Sequence, residues 1–415
     1  MNMMPQSPAP VMSERRATII GALLVAIGPI SMALYTPAMP EIVRAFGTTE
    51  AAVKLTLSVY FGGFAIAQLF CGPLSDGFGR RPVTIAFMLV YLAASLAAAL
   101  SPSIEVLIAA RFVQGVGAAV GVAVSRAIVR DMFTHETSAR ILNTIGMMLA
   151  LGPALSPTIG GLTMELFGWH AVFLLMVAFG IAIVLMTIFW QKETVQRDLS
   201  RIRPGAILRS YGSLLASPYF MLTGFMLAGT VGAFYALATM LPFVMIDRVG
   251  LTPTQFGLSM LMQSGSFFLG AMSMRRLIPR YGSRRLVGPG MALVLTGGLL
   301  LFALLHLYPP TFWTVFGPVA LYACGIALVL PAVTTSSLAP FPHMAGAASS
   351  LSGFMQMGAG LAGSGAAVLI GDPVVALYCV LPVMGIVAAV SWAVWRNMPE
   401  PAAPRRAPPL PPQVS

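Results

Sequence analysis

Charge is what this 415-residue chain has least of. Asp, Glu, Lys and Arg together make up 9% of it, with 13 acids against 24 bases, where a soluble domain carries about 25% charged residues. Such a sequence cannot cover a water-facing surface, so a soluble globular protein is excluded. Cysteine is scarce too. Cys71, Cys324 and Cys379 lie far apart, as do His135, His170, His306 and His343, so their spacing spells out neither a disulfide framework nor a metal site. No His-, Cys- or Ser-based constellation suggests an enzyme, and no polar stretch is long enough for a signalling domain. A receptor or scaffold is therefore the remotest reading. A cleavable signal peptide is also missing. The first apolar run, about Ala17–Ala38, exceeds the roughly 7–15 residues of a signal core and reads as a retained helix.

What is abundant is apolar sequence: 57% of positions, with a mean hydropathy of +0.85. A helix needs roughly 20 apolar residues to cross a bilayer. Six such spans precede a polar stretch, at about Ala17–Ala38, Ala51–Cys71, Val83–Leu100, Ile104–Ile128, Ala139–Glu165 and Ala171–Trp190. Six follow it, at about Tyr219–Ile246, Thr254–Met274, Leu286–Leu307, Thr311–Val333, Ala345–Ile370 and Val374–Trp395. Long unbroken runs exclude the alternating strands of a barrel. The expected fold is an all-α membrane protein of twelve transmembrane helices. Residues 1–16 form an N-terminal tail, 17–190 a first six-helix half and 191–217 a central loop. Residues 218–396 form a second half, and 397–415 a disordered proline-rich tail. Ser101-Pro102 predicts the start of the fourth span. Thr252-Pro253 with Gln255 predicts a capping box at the start of the eighth.

The net charge of +11 does not point to nucleic acid, because the bases sit in short loops rather than on one face. Arg15, Arg16, Arg80, Arg81, Arg130, Arg140, the run Lys192 to Arg209, Arg275 to Arg285 and Arg396 all fall on alternate loops. The other loops carry only Arg44, Lys54 and Arg248. By the positive-inside rule both termini and the central loop face the cytoplasm. The halves repeat. Leu74-Ser-Asp-Gly-Phe-Gly-Arg-Arg81 aligns with Leu277-Ile-Pro-Arg-Tyr-Gly-Ser-Arg284 at an offset of 282 − 79 = 203, and Gly47 and Gly250 share it, 250 − 47 = 203. Two halves related by an axis along the membrane normal place a binding site at their interface.

Four motifs carry the chemistry. Gly72 to Pro82 is a charged knot between apolar runs. In it Gly77 and Gly79 permit positive φ, Asp76 needs a cationic partner that Arg80 can supply, and Arg81 adds a second base. Asp131, after Arg130, is expected to pair with Arg80 or Arg81. In the fourth span, Arg111-Phe-Val-Gln114-Gly115-Val-Gly117 puts a guanidinium inside an apolar helix, a cost of about 2.5–3.5 kcal/mol. Arg111 therefore faces a cavity or snorkels to the outer interface. In the fifth span, Gly152-Pro153-Ala-Leu-Ser-Pro157-Thr-Ile-Gly160-Gly161 combines helix breakers with close-contact glycines. Inward-facing aromatics and amides complete a candidate substrate cavity: Tyr35, Tyr60, Gln68, Arg111, Gln114, Phe234, Tyr235, Gln263 and Gln356. Any single aromatic among them is more simply core packing.

These motifs resemble signatures of the major facilitator superfamily, and nearly the whole chain except the tails is similar to its bicyclomycin and chloramphenicol resistance exporters. Gly28-Pro29, Tyr35, Thr36, Pro37 and Pro40 carry that likeness, with Pro242-Phe243 and Gly250-Leu-Thr-Pro253 later. The resemblance implies a multi-pass inner-membrane exporter of small hydrophobic drugs, with a gating loop at Gly72–Pro82 and a fifth-span motif that separates exporters from importers. It also implies a proton gradient as the energy source, without other cofactor. A small-molecule substrate, protons and lipid are the expected partners, and a monomer is expected. One departure stands out: the subfamily usually has an aspartate where Ala33 stands. Glu41, Glu105, Glu165, Asp247 and Asp372 fall near outer ends, and Asp76 and Asp131 near inner ends. Coupling runs through one of these, or the mechanism differs. An importer or facilitator of a small metabolite is the alternative.

Overall fold

The computed structural model describes residues 11–133, 135–199, 202 and 204–399, so the proline-rich C-terminal tail expected beyond Pro399 lies outside the described residues. The N-terminal half begins with α1 (Glu14–Tyr35), a single 3-10 turn (Thr36–Ala38) and α2 (Met39–Phe46), followed by α3 (Glu50–Phe78) and α4 (Arg80–Ala99). The fourth span is α5 (Ile104–Ala118) running into α6 (Val120–Met132); α7 (His135–Phe167) and α8 (Trp169–Phe189) complete the half. After α9 (Pro204–Leu215) the second half comprises α10 (Pro218–Pro242) with a π-helical extension (Phe243–Arg248), α11 (Pro253–Tyr281), α12 (Ser283–Leu307), α13 (Phe312–Leu338), α14 (Ala345–Ile370) and α15 (Pro373–Trp395). Counting α1–α2, α5–α6 and α10 with its extension as one span each, twelve long helices result. Ten of these are long and apolar enough to cross a membrane. Outward-facing side chains such as Phe70, Leu162, Leu185, Phe302 and Val390 are exposed, which suits a lipid surface and no other solvent.

Duplication is visible in the backbone. Among the described residues, positive φ occurs only at six glycines: Gly47, Gly79, Gly168, Gly250, Gly282 and Gly371. They fall into three pairs at one offset, since 371 − 168 = 203 adds a third to the two pairs seen in the sequence. Each pair marks the same turn in the two halves, where a Cβ would be strained. Of the two glycines that permit positive φ in this loop only Gly79 uses it, at φ 102°; α3 continues through Pro73 and Gly77 to Phe78. Gly77 instead leaves room for Ile202 of the central segment.

Caps fix several helix starts. Thr252 and Gln255 form the expected capping box on α11. The fourth span starts later than Ser101-Pro102 suggested. Ser103 is the N-cap, accepting from Val106 N, while Ser101 bonds back to Ala98 O at 2.9 Å. The hydroxyl one residue past the proline can reach the N3 amide; Ser101 cannot. The central segment, read as a loop, contains α9, whose Tyr211 donates to Leu69 O of α3 at 2.7 Å. Burial pushes the Tyr211 phenol above its ordinary pKa.

The halves meet along two helix pairs, α3 with α14 and α7 with α11. The near end of the bundle carries the start of α1, the central segment and the end of α15; the far end lies opposite.

Candidate functional site

Arg111 is fully buried, with no exposed area. The α5 helix places it between two aromatic faces, Tyr35 from the end of α1 and Tyr60 from α3, each with its centroid 4.4 Å from the guanidinium carbon. Phe173 of α8 closes a third side at 6.0 Å. One terminal nitrogen donates to Gln114 Oε1 a turn further along α5. Gln114 in turn donates to Ser95 Oγ of α4 at 2.7 Å and lies 3.4 Å from the Met176 sulfur. The ring hydroxyls are tied down as well, Tyr35 with Thr56 Oγ1 at 2.6 Å and Tyr60 to Gly28 O at 3.0 Å. No carboxylate takes part. A desolvated cation over an aromatic face gains about 2 kcal/mol, so two faces offset the roughly 2.5–3.5 kcal/mol of placing arginine in an apolar helix. Arg111 thus does not snorkel. Its Nε and second terminal nitrogen have no acceptor. Every group in this cage belongs to the N-terminal half.

The other expected cavity residues divide between the seam and the second half. Gln68 of α3 is buried against Gly353 of α14, and its Oε1 lacks a donor. Tyr235 of α10 lies tilted against Phe61 of α3, ring centroids 5.5 Å apart, and packs on Gly360 of α14. Gln356 donates to Ser352 O at 3.2 Å. Phe234 turns away, into the core of the second half, 6.1 Å from Tyr322. Gln263 is half-buried on α11 with Oε1 unpartnered, apart from the cage.

At the near end, the Gly72–Pro82 loop is built around Arg80. It is only 5% exposed as a side chain and pairs with both Asp76 and Asp131, the latter at 3.0 Å. Its NH1 also reaches Ser75 Oγ at 2.7 Å. Gly72 of this loop comes close to Ser350 of α14. Arg81 turns instead to the carbonyls of Thr187 and Ile188 at the end of α8, and Arg130 is exposed. Glu193, which the sequence reading missed, caps α4. Its two oxygens accept from the backbone N of Arg80 at 2.9 Å and of Arg81 at 3.1 Å, where an anion complements the helix N-terminus. The only signal was an acid directly after the sixth span. Thr194 adds a bond to Asp131 at 3.0 Å, so the central segment grips the loop.

The far end is sealed. The α7 motif makes contact possible there: a Cβ on Gly160 would strike the Leu34 carbonyl of α1, and one on Gly161 the Pro253 carbonyl of α11. Gly257 of α11 meets Pro157 the same way. Gly152 lies against Ile30 of α1, and Pro153 and Pro157 sit inside the helix. One ion pair and two hydrogen bonds to or from the backbone then cross the seam. Arg44 binds Glu41 at 3.0 Å and Asp247 at 3.1 Å. Arg44 and Asp247 are themselves 203 apart, so equivalent positions of the two repeats pair with each other. Lys54, fully buried, donates to Glu50 at 3.1 Å and to the Gly371 carbonyl of α14 at 3.2 Å, with Phe243 of the second half 5.1 Å away. Glu165 accepts from Thr254 N at 2.9 Å. Read from sequence, Arg44 and Lys54 were only sparse outer-loop charges. Near the other end the seam differs: Arg126 of α6 reaches Ser349 of α14 at 2.6 Å and yet is exposed.

The sequence pattern of the Major Facilitator Superfamily matches residues 21–364. Multidrug resistance protein D of Escherichia coli is 29% identical over 371 residues, covering 89% of this chain and 93% of that protein. A chloramphenicol resistance protein of Pseudomonas aeruginosa is 31% identical over 77% of this chain and 76% of its own length. Among solved structures, a bacterial homologue of the human lysosomal transporter Spinster, inward-facing and occupied, superposes with a TM-score of 0.69 at 15% identity, over 91% of this chain and 95% of that one. Two repeats of six spans, a seam between them and a match across most of the length leave one conclusion: this chain is a member of the Major Facilitator Superfamily.

Proposed function

We propose that the protein exports small hydrophobic drugs, such as phenicols or bicyclomycin-like compounds, across a bacterial inner membrane, with its near end in the cytoplasm. The observation that carries this reading is the asymmetry of the seam. Three cross-half ties, through Arg44, Lys54 and Glu165, join the halves at the far end, while Arg126, toward the near end, keeps exposed surface and is tied across the seam by a single hydroxyl. We read this as the inward-open state of a carrier working by alternating access. The drug-resistance names of the relatives and the proline–glycine motif of α7 support the outward direction of transport.

Rocking of the halves would break the three far-end ties and tighten the contact of the Arg80 loop with α14. Proton exchange is the proposed energy source. The acids whose side chains the structure describes lie at or beyond helix ends: Glu14, Asp76, Asp131, Glu193 and Asp198 toward one, Glu41, Glu50, Glu105, Glu165, Asp247 and Asp372 toward the other. Protonation would accordingly act on the gates rather than inside the bundle. Expression in a pump-deficient bacterium is expected to raise the inhibitory concentration of chloramphenicol or bicyclomycin and lower dye retention, and a collapsed pH gradient should abolish both. No change for any compound would sink drug export. The acid-free interior supports a second reading, an importer or facilitator. Counterflow in proteoliposomes that ignores the pH gradient would favour it.

A further inference from the structure

Arg126 stands apart from the other interior cations. It lies six residues before the end of α6 at Met132, about 9 Å inside the near end at 1.5 Å per residue. Its terminal nitrogen reaches across the seam to Ser349 Oγ at 2.6 Å, so the guanidinium occupies the gap between the halves and not the lipid face. It is nevertheless exposed. Arg80 and Arg44 each hold two carboxylates, and Lys54 holds one. Arg126 holds none, and unlike Arg111, which also holds none but is stacked on Tyr35 and Tyr60, its only hydrogen bond among the described residues is to a neutral hydroxyl. Arg130, one turn further toward the near end, adds a second positive charge rather than an acid. Opposite, α14 starts Ala345-Gly-Ala-Ala-Ser-Ser350. These small side chains leave room beside the guanidinium and offer hydroxyls to a polar head.

We infer that Arg126 reads the charge of the substrate, and that the molecules preferred are amphiphiles carrying a carboxylate on an apolar body. This rests on the transport reading above and names the substrate class of that pathway. A guanidinium presents its donors as a fork that fits a carboxylate bidentately, with charge-assisted bonds about twice as strong as neutral ones. A carboxylate entering from the near end would therefore displace Ser349. In doing so it replaces a bond that ties the halves together with one confined to the N-terminal half, so that binding loosens the near-end tie to α14. A permanent cation would meet two positive charges along the same route, where Asp76 and Asp131 are already paired with Arg80.

Three matched probes test this: 1-naphthylacetate, its neutral amide and 1-naphthylethylamine, each radiolabelled and measured by equilibrium dialysis on the purified protein. The wild type should bind the acetate at least about tenfold tighter than the amide and the amine weakest. Arg126→Gln should bring acetate down to the level of the amide, with amide binding unchanged as a check on folding. Arg126→Lys should keep part of the preference. Ser349→Ala should keep or raise acetate affinity, since it removes the competing hydroxyl. An unchanged acetate-to-amide ratio in Arg126→Gln overturns the inference, as does amine binding equal to that of acetate, or no acetate binding by the wild type. Failure of drug export has a different signature: the binding ratio holds, but no probe crosses proteoliposomes and no resistance appears in cells.

Discussion

Glu50→Gln should open the far end, whereas Lys54→Met should not. The two side chains form one ion-paired unit, buried at Lys54 and part-exposed at Glu50. Lys54 has no exposed side-chain area, and its ammonium is shared between Glu50 and the Gly371 carbonyl beneath Phe243. Removing the carboxylate alone strands a buried cation, a cost of about 3–5 kcal/mol. Glu50 is 31% exposed, so solvent screening brings this to about 2 kcal/mol. At about 1.4 kcal/mol per factor of ten, the open-to-sealed ratio rises roughly thirtyfold. Lys54→Met removes the charge together with its desolvation cost and keeps the volume, so the seal should change by less than about 1 kcal/mol. The double variant should behave as Lys54→Met. For comparison, Arg44–Asp247 is exposed, 59% and 32%, and Arg44→Ala should shift the ratio by no more than about 1 kcal/mol. In a background with Cys71, Cys324 and Cys379 replaced, Ser58→Cys provides a buried reporter just beneath Lys54. The rate of its reaction with an impermeant maleimide added on the far side measures opening. If Lys54→Met accelerates labelling as much as Glu50→Gln, the seal is not governed by an uncompensated charge and the reasoning fails.

Arg111→Ala should abolish transport while leaving membrane insertion intact. Arg111→Lys should be nearly as damaging, because an ammonium cannot stack flat between Tyr35 and Tyr60; wild-type transport rates in either variant would remove Arg111 from the mechanism. Gly63→Ala should destabilise by about 1–3 kcal/mol, since its Cβ falls on the Phe112 carbonyl of α5. Gly62→Ala one residue earlier, where the Cβ would sit 3.4 Å from the flexible Leu361 side chain, should melt close to wild type; equal melting points in detergent would refute the contrast. Glu193→Gln should cost about 0.3–1 kcal/mol of stability through the α4 N-terminus and raise protease sensitivity of the central segment. An unchanged digestion pattern would mean that the segment is held by other contacts.

The spans, the repeat and most functional groups near helix ends were legible because each depends on local sequence. Hydrophobic length fixes a span, and a glycine needed at positive φ marks the same turn twice, as Gly47 and Gly250 do. Thr252 and Gln255 cap α11 through neighbours three residues apart, a relation any reader of the sequence can see. Failures arose where a partner is remote. Glu193 lies 113 residues from the Arg80 amide it caps, and Asp247 is 203 residues from Arg44. Position 77 was ambiguous for a different reason: glycine serves both turns and close approach, and only the neighbour Ile202 distinguishes them.

The sequence alone settled that this chain spans a membrane many times, in two related halves, because apolar length and loop charge are properties of each segment by itself. It also settled that a guanidinium lies within the fourth span. Where that guanidinium points was decided only in three dimensions, by Tyr35, Tyr60 and Phe173 arriving from three other helices. The tertiary structure likewise decided which end is sealed. A seal is made of pairs drawn from both halves, and residues such as Lys54 and Gly371, 317 positions apart, meet only once the two bundles have packed.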